Sequence, residues 1–366
     1  MFKDDLHVKR IESLSNSVVG AVQAAKYGVA AIGHGLAVAK GLHGKHAIKQ
    51  VDRLLSNEGV VVWQLYESLV PFMVGDRTEI VVALDWTDFD ADNQSTIALN
   101  MITRHGRATP LMWMTVFKSE LAGWRNEYED RLLMRLREVL PEAVQVTVLA
   151  DRGFGDVKLY ELLAELRFDY VIRFREIIEV EDADGESRPA AEWVPPNGRP
   201  RLLREACVTG ERFAVPAVVC VKAKGMKDSW CLATSRDELT GAAIVKLYGK
   251  RFTIEENFRD TKDIRFGMGL STTRISTPER RDRMLLISAL TVVLLTLLGA
   301  AGEDLGMDRM LKANTVKTRT HSLFRQGCML YELLENMPLV RRRPLLKRFG
   351  EMMLEQNALR QAFGWI

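Results

Sequence analysis

The sequence predicts an α/β protein: a mixed sheet carrying a β-rich insertion, flanked by an all-α N-terminal region and by C-terminal helices. Three observations predict it. Between residues 76 and 175, short apolar runs alternate with amphipathic helical stretches. Residues 176–235 break that alternation with turn formers and short β-like runs. Residues 1–75 and the chain from Asp237 onward show helical patterning instead.

Each element follows from local chemistry. "VVGAVQAAKYGVAAIGHGLAVAKGL" is rich in Ala and Gly, which suits close helix packing, and "KHAIKQVDRLLSNEG" is an amphipathic helix stopped by Asn-Glu-Gly. "EIVVALD" is a short apolar strand ending on Asp85. "QSTIALNMITRHGRATPLMWMTVF" predicts two strands joined by a turn at His105-Gly106-Arg107. "WRNEYEDRLLMRLREVLP" predicts a helix, "VQVTVLAD" a strand ending on Asp151, "DVKLYELLAELR" a helix and "FDYVIRF" a strand. In the insertion, "FAVPAVVCVKAKG" and "DSWCLATS" are the β segments. "YGKRFTIEENFRDTKD" predicts one continuous helix. "MLLISALTVVLLTLLGAAG", residues 284–302, is uncharged and long enough to cross a bilayer. A single such span after "ERRDR" and before ordinary amphipathic helices would make an odd membrane protein, so a helix buried on all sides is expected.

At 366 residues the chain has length for two or three packed units, and 47% hydrophobic with 27% charged residues is an ordinary globular composition. A net charge of +3 permits nucleic-acid binding without demanding it, so local clusters must carry that argument. Cys207, Cys220, Cys231 and Cys328 are too far apart in sequence for a zinc knuckle or a redox pair, and "MFKDDLHVKR" has no signal-peptide core. A reduced cytoplasmic chain with no membrane span is the expectation.

Asp85 and Asp151 each close an apolar strand, at the sheet edge where ligands of α/β proteins collect. Asp also favours turns and helix caps, which is the plainer explanation of either residue alone. Asp88, Asp90 and Asp92 are loop acids. With about 100° per residue from Tyr248, Arg251, Glu255 and Lys262 share an arc of roughly 60° with it. Arg259 lies beside them, and Glu256 falls off that face. Arg251–Glu255 and Glu255–Arg259 also have the spacing of a simple salt-bridge ladder. Three carboxylates with no His or Cys among them select Mg²⁺ or Mn²⁺, and flanking cations suit a polyanion. From the residues alone this is a metal-dependent enzyme acting on phosphodiesters.

The spacing Tyr248, Arg251, Glu255, Lys262 resembles the signature of cut-and-paste DDE transposases of insertion-sequence family four. "VALDWTD" and "VLADRGF" are similar to that family's two aspartate motifs. "LHVKRIESL", "KHAIKQVDRLLSN", "ITRHGRATPLM", "ENFRDTKDIRFGMGLSTTRISTPERRDRMLLI" and "LKANTVKTR" look like the subgroup exemplified by the Tn-ten transposase.

The resemblance implies an RNase H-like core, residues 76–175 and 236–300, in which Asp85, Asp151 and Glu255 are the catalytic triad binding two Mg²⁺, with Mn²⁺ able to substitute. It implies that Tyr248, Arg251 and Lys262, with Arg259 beside them, grip the DNA end. "WCLATS" makes Trp230 the residue that stacks on a flipped base, a contact worth ~1–3 kcal/mol; an ordinary core position is the alternative. It also implies nicking by water, hairpin formation by the freed 3′-OH, hairpin opening and strand transfer to target DNA, by a homodimer on paired inverted repeats. Residues 1–75 would bind the transposon end. There Lys45, Lys49 and Arg53 form a basic face suited to phosphates, although a merely solvated face has the same pattern. Residues 301–366, with "RRRPLLKR", would contact DNA or pair subunits. A nuclease of the same fold lacking strand transfer, and a domesticated non-catalytic DNA-binding protein, are the rival expectations.

Overall fold

A computed structural model describes residues 1–103, 106–265 and 267–354. It is an α/β protein with a ten-stranded mixed sheet, N-terminal helices and C-terminal helices, as expected of an RNase H-like transposase fold. The strands run β3-β2-β1-β4-β5-β10-β9-β8-β6-β7, where β1 is Glu79–Phe89, β2 Gln94–Met101, β3 Thr109–Phe117, β4 Gln145–Ala150 and β5 Asp169–Phe174. The remaining strands are β6 Glu179–Glu181, β7 Ser187–Pro189, β8 Arg201–Val208, β9 Phe213–Val221 and β10 Trp230–Thr234. By contacts the chain divides into two compact units.

One unit comprises Met1–Arg77, Trp86–Trp124 and Thr253–Ile366. Its helices are α1 Val8–Ala24, α2 Val29–Lys40, α3 Gly44–Leu55 and α4 Val62–Val74, followed late in the chain by α8 Phe252–Lys262, α9 Pro278–Asp304, α10 Leu323–Leu333 and α11 Leu339–Leu354. The glycines in the first two helices are there for contact: a Cβ on Gly20 would lie 2.3 Å from the Ile32 carbonyl oxygen, and one on Gly35 would lie 2.3 Å from that of Gly20. Helix α9 starts at an N-cap Thr277, whose side chain accepts from the Arg280 N–H, with Pro278 in the first turn. Of its most apolar 18-residue window, 83% is buried in the protein, in line with a buried helix. The preceding charges are anchored inside. Arg281 is fully buried, donating to Gln94 Oε1 at 2.5 Å and pairing with Asp92 at 2.6 Å, while Arg283 donates to the Leu55 and Val60 carbonyls, each at 2.8 Å.

The other unit comprises Thr78–Asp85 and Arg125–Phe252. In it β1 pairs parallel with β4, and β4 with β5, while β5, β10, β9, β8, β6 and β7 continue antiparallel. Its helices are α5 Arg125–Val139, α6 Val157–Glu165 and α7 Gly241–Gly249. The insertion is β-rich as expected, and its strands extend the same sheet because β10 pairs directly with β5.

Two expectations are corrected. The stretch 248–262 is not one helix: α7 ends at Gly249 and α8 begins at Phe252. Between them the Lys250 and Arg251 N–H groups bond to Leu247 and Tyr248, an i→i+3 pattern that tightens and ends the α-helical ladder. The angular argument therefore does not carry from Tyr248 and Arg251 to Glu255. Second, β1 continues beyond Asp85 to Phe89, although its parallel pairing stops at Leu84 opposite Ala150. A feature the sequence did not signal is that Cys220 and Cys231, separate in sequence, lie opposite one another on β9 and β10, both buried and both free thiols. The neighbouring Cys231 thiol, together with burial, pushes the Cys220 thiol up. His105 of the predicted turn lies outside the described residues.

Candidate active site

Asp85 and Asp151 are the residues that follow the last paired positions of two adjacent parallel strands, Leu84 on β1 and Ala150 on β4. The apolar ladder behind them is buried, so the two carboxylates emerge together where the core ends. Each has a cation. Arg251 Nη1 lies 3.3 Å from Asp85 Oδ2, with the arginine side chain 4% exposed and the aspartate 22%. Arg173, on β5, places Nη1 at 3.9 Å from Asp151 Oδ1 and donates through Nη2 to the Ser229 carbonyl at 3.0 Å. Tyr248, at the end of α7, donates its hydroxyl to Asp151 Oδ1 at 3.3 Å. Burial pushes the Tyr248 phenol up and keeps it a proton donor, with Asp151 adding and Arg251 opposing.

Trp230 opens β10 beside this group. Its ring meets Tyr248 edge-on at 4.9 Å and lies 5.9 Å from Phe252, while the Arg251 guanidinium sits 5.0 Å from the Phe252 ring centre. Trp230 itself is half-buried. The structure thus brings together Asp85, Asp151, Tyr248, Arg251 and Trp230, and adds Arg173. The Arg173 signal lay in "FDYVIRF", where one cation interrupts an apolar strand.

Glu255, Arg259 and Lys262 lie on α8. Glu255 is exposed in its first turn. Arg259 is half-exposed and pairs with Glu256. Lys262 donates to Thr87 Oγ1 at 2.9 Å and to the Asp88 carbonyl at 2.5 Å, so α8 is tied to the residues just after Asp85. Burial lowers the Lys262 ammonium. Asp88, which lies within β1 and not in a loop, also receives Ser95 and Lys118, and Asp92 takes Arg281, so these acids serve their local structure.

Two hard carboxylates that close adjacent parallel strands, their side chains 22% and 36% exposed, suit Mg²⁺ or Mn²⁺. Among the described residues no group of three or more His, Cys, Asp and Glu could hold a metal. The donor set fits a divalent ion at the level of the aspartate pair.

Lys45, Lys49 and Arg53 are exposed on α3. Lys49 and Arg53 line a groove of about 380 Å³ together with Lys9, Arg10 and His46. On α11, Arg348 is engaged with Asp304 at 2.9 Å and with Glu351, whereas Arg341 and Arg343 are exposed.

Residues 122–294, a little under half of the chain, match the family described as transposase DDE domain. The matched stretch contains Asp151, Tyr248, Arg251, Glu255 and Lys262, while Asp85 precedes it. No curated protein matches the sequence.

Proposed function

We propose that the chain is a cut-and-paste transposase of insertion-sequence family four, close to the Tn-ten subgroup, with Asp85, Asp151 and Glu255 as its catalytic carboxylates. The observation that carries this reading is the pair of aspartates at the end of the β1–β4 ladder, each held by a guanidinium, with the Tyr248 hydroxyl on one of them. Two Mg²⁺ (or Mn²⁺) held by Asp85, Asp151 and Glu255 would activate the attacking oxygen and stabilise the leaving one. The protein's own groups do the rest. Arg251 and Lys262 bind phosphates of the DNA end, with Arg259 at the rim. Tyr248 donates a proton-bearing hydroxyl beside Asp151, which keeps that carboxylate oriented. Trp230 offers its ring to a base turned out of the duplex, offsetting part of the unstacking cost.

Water nicks one strand and releases a 3′-OH. That hydroxyl attacks the opposite strand to close a hairpin, a second water opens it, and the 3′-OH then attacks target DNA. The basic groove of α1 and α3, with Lys45 nearby, binds the inverted repeat through phosphates. The active species is a homodimer on paired ends, in the cytoplasm and on the nucleoid when DNA-bound.

The test is incubation of the full chain with Mg²⁺ and a DNA duplex bearing the element's own end. Hairpin and joined products are expected. Nicks without either product would leave a nuclease of the same fold, and binding without cleavage would leave a domesticated DNA-binding protein.

A further inference from the structure

Helix α8 is clamped from the turn that leads into β3. Gly106, just before Arg107, takes φ +91°, a backbone that an L side chain rarely adopts. Arg107 Nε donates to Asp260 Oδ2 at 2.5 Å, and its Nη2 lies 3.4 Å from Glu256 Oε2. The Arg107 and Asp260 side chains are 19% and 8% exposed. Next to it, the Ala108 N–H donates to the Thr253 carbonyl in the first turn of α8 at 3.3 Å. Glu256 and Asp260 are four residues apart, on the same side of α8. A planar guanidinium with directional donors on two carboxylates one turn apart fixes a helix's rotation as well as its position. A round ammonium would fix the position alone.

We infer that Arg107 is a positioning residue: it sets the rotation of α8 and thereby the direction in which Glu255 presents its carboxylate. The inference rests on the reading of Glu255 as a metal ligand. It gives the two adjacent glutamates separate tasks, with Glu256 facing the clamp and Glu255 facing solvent. Partners that orient metal ligands typically change metal affinity ~10–100-fold when removed.

The experiment titrates the full chain with Mn²⁺, following free ion by electron paramagnetic resonance, alongside thermal melts and affinity for the DNA end. Arg107→Gln should weaken Mn²⁺ binding about tenfold and raise the Mg²⁺ needed for half-maximal cleavage, with DNA-end affinity unchanged. Arg107→Lys, which keeps the charge without the fork, should recover only part of the loss. Asp260→Asn should act in the same direction, and serves where Arg107→Gln melts too low to titrate. Glu255→Gln is the reference. If it weakens Mn²⁺ binding while Arg107→Gln and Asp260→Asn leave it unchanged, the clamp is overturned and the reading of Glu255 stands. If Glu255→Gln alters neither Mn²⁺ binding nor cleavage, the reading of Glu255 fails, and the clamp's functional role fails with it.

Discussion

Glu256 pairs with Arg107 and Arg259, and its neighbour Glu255 lies in the first turn of α8 with its side chain exposed. Glu255→Gln is expected to abolish cleavage and keep DNA binding. Glu256→Gln, which leaves the Arg107–Asp260 arm of the clamp in place, should keep cleavage at saturating Mg²⁺ and cost at most about 1 kcal/mol of stability, since its pairs are part-exposed. Gel cleavage assays and urea titrations separate the two, and equal loss of cleavage from both would remove the distinction. Asp282, on α9, yields a pH prediction. It is half-buried, and desolvation pushes its carboxyl up to about 7 against the hydrogen bonds it accepts from Thr115. The folded protein therefore holds this proton between the unfolded value of 3.8 and about 7. Over that window stability falls as pH rises, and the penalty is complete above it. Asp282→Asn keeps the acceptor for Thr115 and removes the charge, so it should raise the melting temperature at pH 8 and have little effect at pH 4. A uniform shift across pH would contradict this. The strand-end aspartates were legible in the sequence because an apolar run closed by Asp is a local pattern. The pairing of Arg251 with Asp85, of Arg173 with Asp151 and of Arg107 with Asp260 was not, because each meets its partner from a distant part of the chain.

Among the elements, α9 and α10 approach backbone to backbone. A Cβ on Gly299 would lie 1.9 Å from the Leu323 carbonyl oxygen, and one on Gly327 would lie 1.8 Å from that of Leu295. Backbone cannot move aside as a side-chain tip can, so Gly327→Ala should cost about 3 kcal/mol, the upper part of the usual overpacking range. Gly210→Ala, with nothing within 4 Å, should stay within about 0.5 kcal/mol. Urea midpoints for the two variants check the contrast. Helices and strands were largely readable because their periodicities of 3.6 and 2 are local. The break between α7 and α8 was hidden: "YGKRFT" contains Gly249 but no proline, and its charges continue a helical rhythm across the break. The joining of the insertion to the central sheet was equally hidden, since the β10–β5 pairing links positions 231–234 to 171–174.

For the whole molecule, a net charge of +3 is too small to attract DNA by itself, so affinity should depend on local faces such as α3. Replacing Lys45, Lys49 and Arg53 together by Ala should reduce the slope of log affinity against log salt by about 3 if all three contact phosphates. An unchanged slope would make α3 a solvated face.

The buried helix α9 has a consequence for how the chain is made. Its apolar window has a mean hydropathy of 2.5. A ribosome releases it before α10, the helix that packs against its glycine face, has been synthesised. Until then the nascent chain displays what membrane-insertion machinery selects for, and what drives nascent chains to aggregate. A chain stopped after Asp304 should therefore sediment with membranes or aggregates on cell fractionation, whereas the same stop before Pro278 should not. Residues 305–333 thus decide where a growing polypeptide ends up as well as how the finished one packs.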